Sequence, residues 1–441
     1  MLPNNPKVFA PQKFVWKDPD HNPLLTKFIS ILLYFSCFII IFMGILTRVV
    51  IPKAQAASIS PIPPISQDSK PKYEVFGFAP HWLMDERMNK IDFTTLTTMA
   101  YFGIPVKIDG SLDKNDRGYK VFHGKKATEL FKKAHENGTR VVLTLTLMKN
   151  DPIKKFLDDE DAWANTAAQA SWEVLKRGID GVNIDFEYVG SPGTDYKNKF
   201  SKFVNYFTKN MHKIVPNSQV TVSVYASAVK DPKIYDIKRL GEDSDGIFMM
   251  AYDFATTTAD KVMPTAPLGG HKEGKYWYDI RTAVNDFLSF MPEEKLILGL
   301  PWYGYNYQVS SPQVKASTSK GYYTYQKYGR RTIRVYVPVK GKAQPYYLAQ
   351  DLADKSGWDE YGQVGWKAYN SASGWRMIFL DDEKSLSLKY DFAKEKKLKG
   401  IGMWALGFDN GDRKLWDVIQ AKFGQKTVDE QISQKQIYEN I

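Results

Sequence analysis

From Tyr73 onward, short runs of β-branched and aromatic residues alternate with longer stretches whose apolar residues recur every three or four positions. The short runs lie near 74–80, 96–102, 140–147, 181–187, 219–226, 246–252, 296–302 and 400–406. Runs of this length between polar turns predict strands, and the longer stretches predict amphipathic helices. The stretch ahead of the fourth run carries the helical period, with Trp163, Ala167, Ala170 and Leu175 on one expected stripe. Eight strands alternating with helices predict an α/β fold, a (β/α)8 TIM barrel with its functional groups at the C-terminal ends of the strands. The gap between the seventh and eighth runs is too long for one helix. Residues about 306–378 contain Tyr-rich alternating segments such as Thr332–Ile333–Arg334–Val335–Tyr336–Val337, which predict a small α+β insertion walling one side of a groove.

The N-terminal part reads differently. Phe28 to Thr47 is an apolar stretch of 20 residues free of charge, bounded by Lys27 and Arg48. About 20 such residues span a bilayer core as a helix. Lys7, Lys13, Lys17 and Lys27 precede it, whereas only Arg48 and Lys53 closely follow, so the N-terminus is expected inside and the rest outside. Ala54–Gln55–Ala56 resembles a signal-peptidase site, and cleavage after Ala56 is the rival reading. The apolar run exceeds the ~7–15 residues of a signal-peptide core, which favours an uncleaved anchor. The expected organisation is a cytoplasmic segment at 1–27, the transmembrane anchor at 28–47, a Pro/Ser-rich spacer at 48–72, the barrel at 73–423 and a polar tail at 424–441.

Composition narrows the function. The net charge is +11, of which residues 1–72 supply +5 from 8 Lys/Arg and 3 Asp/Glu. The remainder is mildly basic without a dense Lys/Arg cluster, so no nucleic-acid partner is expected. The single cysteine, Cys37, lies in the apolar run, which rules out a disulfide framework or a cysteine metal site in the barrel. The 6 histidines show no ligand spacing; no metal or cofactor is expected, although an all-oxygen metal barrel stays open as an alternative. Aromatic residues make up 14% of the chain, and their faces suit sugar rings.

The chemistry concentrates in Gly181–Val182–Asn183–Ile184–Asp185–Phe186–Glu187. Residues two apart on a strand share a face, so Asn183, Asp185 and Glu187 point one way. A buried parallel strand normally reads as an uninterrupted apolar run. Two carboxylates ending one are costly unless paired, hydrogen-bonded or used. Such a pair spreads its pKa values and leaves one acid protonated at neutral pH, as cleavage of a glycosidic bond requires.

These residues and five further segments, in order along 73–423, resemble glycoside hydrolase family 18, the chitinase-like family. Its Asp-x-x-Asp-x-Asp-x-Glu signature stands here as Asp180 to Glu187, with Asn183 at the middle Asp. The other matches are Gly77–Phe78, Tyr101–Phe102, Met250–Ala251–Tyr252–Asp253, Gly299–Leu300–Pro301–Trp302–Tyr303–Gly304, and Asp381–Asp382–Glu383–Lys384–Ser385 with Lys389 ahead of Gly402–Met403–Trp404. The resemblance implies a retaining, substrate-assisted glycosidase. Glu187 is then the general acid, Asp185 orients the 2-acetamido group, and Tyr252 hydrogen-bonds its carbonyl oxygen. Asp253 binds sugar hydroxyls, and Trp404 floors the subsite with Phe78 and Tyr101 nearby. Trp302, Tyr303 and Trp82 extend the groove, and Asp180 and Gly181 are structural.

Two departures point within the family. Asn183 can hydrogen-bond Asp185 but lends it no charge, which predicts a shifted acid limb of the pH profile. The third strand ends Thr144–Leu145–Thr146–Leu147 in place of the usual Ser-x-Gly-Gly. Both resemble the bacterial spore-cortex and cell-wall N-acetylglucosaminidase branch. The expected protein is a single-pass protein of a bacterial membrane, monomeric, with its catalytic domain outside. It acts on peptidoglycan or chitin-type polymers containing N-acetylglucosamine. A non-catalytic, lectin-like sugar binder is the alternative, which the presence of Glu187 opposes.

Overall fold

The computed structural model describes residues 72–424. The expected leader, transmembrane run and spacer up to residue 71, and the tail from 425 onward, lie outside the described residues. Among the described residues no helix is long and apolar enough to cross a membrane.

Seven strands, each followed by helix or loop, run β1 (Glu74–Pro80), β2 (Thr98–Pro105), β3 (Arg140–Leu147), β4 (Gly181–Phe186), β5 (Gln219–Tyr225), β6 (Gly246–Met250) and β7 (Leu296–Pro301). An insertion follows, with strands β8 (Tyr303–Gln308), β9 (Gly321–Tyr328), β10 (Arg331–Pro338), β11 (Lys342–Pro345), β12 (Lys355–Asp359), β13 (Val364–Ser371) and β14 (Gly374–Leu380). The chain then returns through the helix Glu383–Glu395 to β15 (Gly400–Trp404). β15 pairs in parallel with β7 and with β1, which closes an eight-stranded barrel in the order β1-β15-β7-β6-β5-β4-β3-β2.

Alternation along each strand divides the apolar residues into two sets. One set fills the barrel: Phe76, Phe78, Ala100, Val142, Phe248, Met250 and Ile297. The other packs outward against the helices, as Met99, Val141, Val182, Ile184, Val222 and Leu300 do. Gly299 and Gly402 make room for the Phe248 ring, which an added Cβ would approach to 2.3 Å and 2.4 Å. The helix Glu160–Arg177 begins at Asp159, whose carboxylate accepts from the amides of Asp161 and Ala162, and stops at Gly178 with φ +66°. Its buried stripe is Trp163, Ala167, Ala170 and Val174, whereas Leu175 is exposed. The sequence reading placed Leu175 in that stripe. Residue 174 continues the 3.6-residue period from 163, 167 and 170, and residue 175 lies one helical step (about 100°) around the cylinder.

The insertion forms a five-stranded antiparallel sheet, ordered β11-β8-β14-β13-β12, and a separate hairpin of β9 and β10. The larger sheet has its own apolar core, including Tyr303, Tyr305, Tyr307, Val364, Ala368, Met377 and Phe379. Tyr252 and Trp404 from the barrel pack against that core. The insertion therefore abuts the C-terminal mouth of the barrel, where β6 and β15 end.

Candidate active site

β4 delivers the carboxylates. Gly181 starts it at φ +148°, and a Cβ there would lie 2.0 Å from the Gln219 carbonyl oxygen, so only glycine allows β4 to sit this close to β5. Asp180, just before it, accepts from the Val141 amide at 2.7 Å and lies 2.7 Å from His135 Nε2. That ties β3 and the helix Lys125–Glu136 to the root of β4. From there Asn183 and Asp185 point into the barrel on one face and Glu187 follows at its mouth, while Val182, Ile184 and Phe186 pack outward.

Asp185 is buried, and one of its carboxylate oxygens has no hydrogen-bond partner. Burial, and then the neighbouring Glu187 charge, hold its pKa well above the ordinary carboxylate range. Glu187 is also raised, by burial above all; a hydrogen bond from Tyr225 works against that, and the Asp253 charge adds to it. Asn183, on the same face, is held by β5 instead. Its amide Nδ2 donates to Ser223 Oγ at 3.0 Å, and its Oδ1 accepts from Thr221 Oγ1 at 2.8 Å. The hydrogen bond to Asp185 that the sequence reading allowed is thus not made, because β5 presents two hydroxyls at the same depth. Asn183 acts as a cross-strand tie, and Asp185, opposite Thr146 on β3, keeps a carboxylate oxygen without a hydrogen bond.

Tyr252 and Asp253 follow β6. Tyr252 is half-buried; desolvation and then the charges of Asp185, Glu187 and Asp253 raise the pKa of its hydroxyl and hold it protonated. Asp253 adopts φ +59°, a region that Asp tolerates better than most residues. Its Oδ1 accepts hydrogen bonds from the hydroxyls of Tyr303 and, at 2.9 Å, Tyr305. Although Asp253 is exposed at the surface, partial desolvation of its carboxyl still raises its pKa despite those two donors.

The aromatic floor comes from three strands. The Trp404 ring lies 4.7 Å from Phe102, 5.6 Å from Phe78 and 6.3 Å from Trp82, centroid to centroid. Trp82 is 44% exposed and available to a ligand. Three aromatic assignments change. Tyr101 is outside the barrel, its hydroxyl on the Gly118 carbonyl at 2.6 Å and its ring between Phe122 and Phe131. Phe102, one residue on, takes the inward position. Trp302 is wholly buried against Trp416 behind β7, sharing the outward face of Leu300. Tyr303 is buried too and clamps Asp253 instead of lining an open groove.

Sequence reasoning missed Phe102, Tyr225 and Tyr305. A signal existed for Tyr225: Thr221, Ser223 and Tyr225 alternate with Val220, Val222 and Val224, a polar inward face on an otherwise apolar strand. Because the Tyr225 hydrogen bond lowers the Glu187 pKa, Tyr225→Phe is expected to raise it. If Glu187 acts in its protonated form, the alkaline limb of the pH–kcat profile then moves upward. An unchanged limb in the phenylalanine variant would remove Tyr225 from the machinery. Among the described residues no cluster of His, Cys, Asp and Glu is arranged to hold a metal ion.

A (β/α)8 barrel with two carboxylates of raised proton affinity beside an aromatic floor at its C-terminal mouth is the architecture of a hydrolase acting on sugars. The profile of glycosyl hydrolases family 18 matches residues 74–409. The chain belongs to that family and is a glycoside hydrolase. It is 26% identical over 377 residues to human di-N-acetylchitobiase, a match covering 81% of this chain and 86% of the relative. It is 24% identical over 250 residues to YvbX, an uncharacterized glycosylase of Bacillus subtilis, covering 56% and 62% of the two chains. In fold it is similar to the Group IV chitinase of Ostrinia furnacalis solved with allosamidin, at TM-score 0.67 and 20% identity, over 79% of this chain and 98% of that one. The Bacillus cereus spore cortex-lytic enzyme SleL superposes with TM-score 0.60 at 17% identity, over 80% and 75% of the two chains.

Proposed function

We propose that this glycosidase is exported and membrane-anchored, and that it cleaves β-1,4 bonds of N-acetylglucosamine-containing polymers, of peptidoglycan or chitin type, with retention of configuration. The observation that carries this reading is the Asp185–Glu187 pair: Asp185 is buried, Glu187 is half-buried at the mouth, and both have their proton affinity raised. A protonated Glu187 at the barrel mouth donates its proton to the glycosidic oxygen as the bond to C1 breaks. The 2-acetamido carbonyl oxygen attacks C1 from the opposite face and gives a cyclic oxazolinium. Tyr252 donates to that oxygen; with the pair's single proton carried by Glu187, the ionised Asp185 accepts a hydrogen bond from the acetamido N–H and balances the positive charge. Glu187, now ionised, removes a proton from water as it attacks C1 and restores the sugar. Trp404 supplies the apolar surface under the ring, and the clamped Asp253 accepts from sugar hydroxyls.

The names of the relatives support the substrate class, since they include di-N-acetylchitobiases, chitinases and a spore cortex-lytic enzyme. The apolar run Phe28–Thr47 supports the anchor. Mass spectrometry of products from purified peptidoglycan and from chitin oligosaccharides tests the proposal. New reducing N-acetylglucosamine ends are expected from at least one of them. Binding without any cleavage of either would replace the glycosidase with a lectin-like sugar binder.

A further inference from the structure

The β9–β10 hairpin has no place in the chemistry above, and its composition is unusual. From Lys295 to Gln350 the chain contains no Asp or Glu, and residues 320–342 carry seven Lys and Arg. Cross-strand partners share a face. The pairs Tyr323–Tyr336, Tyr325–Arg334 and Lys327–Thr332 therefore form one side of the ribbon. On that side the Arg334 guanidinium lies 3.7 Å above the Tyr323 ring, and Tyr323 meets Tyr336 at 5.2 Å. Tyr325 nonetheless stays 71% exposed, Tyr323 57% and Tyr336 45%. A two-stranded ribbon gains little stability by itself, and three exposed tyrosines with flanking cations contribute nothing to a core.

The base of this ribbon is fastened to the loop that leaves the active site. Lys320 Nζ donates to the carbonyls of Thr258 and Ala259 at 2.9 Å and 3.2 Å and pairs with Asp260. The Gly341 amide donates to the Thr257 carbonyl at 2.7 Å. These loop residues begin a few positions after Asp253. The eight residues of each strand extend the ribbon about 27 Å from that root.

We infer that the Tyr323/Tyr325/Arg334/Tyr336 face is a second binding site, for a carboxylate-bearing glycan strand that continues the polymer held in the active site. Phenol faces stack on sugar rings, and the guanidinium and ammonium groups pair with carboxylates along the strand. The absence of any acid on the ribbon makes the complement anionic. A lipid surface fits less well, because the tip is Tyr328–Gly329–Arg330–Arg331, without the Trp, Phe or Leu wedge that enters an acyl boundary. This inference rests on the polymer reading above.

The test uses the full chain in detergent micelles. Co-sedimentation is measured with peptidoglycan sacculi stripped of phosphate polymers and with neutral chitin beads. The comparison is with a variant carrying Y323S, Y325S, R334S and Y336S. Hydrolysis of soluble chitotriose reports separately on folding and on the active site. The expected result is a tenfold or greater loss of sacculus affinity, a smaller loss on chitin beads that reflects stacking alone, and chitotriose turnover within twofold of the parent. Retained sacculus affinity would overturn the site. An equal loss on chitin beads would overturn its anion selectivity, and displacement of sacculi by micelles containing phosphatidylglycerol would reassign it to lipid. If the parent itself leaves chitotriose and peptidoglycan intact, the catalytic reading has failed, and the affinity comparison still decides the hairpin.

Discussion

Replacing Glu187 with glutamine is expected to lower kcat by about 10²–10⁴-fold, the range associated with a positioned general acid–base group. Glutamine keeps the shape and still accepts from Tyr225, so affinity for an unhydrolysed oligosaccharide should stay near the parent value. A kcat within a few-fold of the parent would remove Glu187 from its assigned role. The same variant also probes the half-buried charge. The folded-state pKa of Glu187 is raised, chiefly by burial. A group of this kind contributes stability below its unfolded pKa, and that contribution is lost as pH rises through the folded value. Glutamine carries no such loss. The melting temperature of Glu187→Gln should therefore match the parent in acid and exceed it once the pH has risen through the folded value of Glu187.

The second large effect lies away from the chemistry. Asp381, directly after β14, and Lys389, on the helix Glu383–Glu395, form an ion pair with both side chains buried. Burial pushes the Asp381 pKa up and the Lys389 pKa down, and each partner opposes the shift of the other. The pair fastens the last strand of the insertion to the helix that returns to β15. Beside it, Asp382 and Ser385 close a capping box at the start of that helix. Lys389→Met leaves a buried carboxylate unpaired and is expected to cost about 3–5 kcal/mol, a large share of the ~5–15 kcal/mol that holds a typical domain. The urea midpoint should fall accordingly. Adding Asp381→Leu should recover most of the loss, because replacing both ions of a buried pair by apolar groups is often close to neutral. A single variant as stable as the parent would mean that Asp381 finds another partner or takes up a proton at no cost.

The barrel was legible because its strands are local. Each run of five to eight residues carries enough β-branched and aromatic content to be recognised without its neighbours, and the intervals between runs have helical period. The carboxylate pair was legible for the same reason, since the two-residue spacing of Asp185 and Glu187 places them together whatever the strand packs against. The aromatic residues were harder. Tyr101 and Phe102, or Trp302 and Tyr303, are adjacent and both apolar, and a parallel strand is covered on both faces. Alternation then separates the two residues without indicating which one faces the barrel interior.

The sequence by itself determined the eight-strand order, the insertion before the last strand, and a strand ending in two carboxylates on one face. Those features depend on spacing within a few residues, and backbone geometry sets their outcome. Only the tertiary structure decided that Phe102 and not Tyr101 meets Trp404, that β5 hydroxyls hold Asn183, and that Tyr225 reaches Glu187. It also decided that Tyr303 and Tyr305 grip Asp253 across some fifty residues of chain. Each of these outcomes depends on the register between strands and on which face closes inward. Barrel closure sets both, through pairings between segments far apart in the chain.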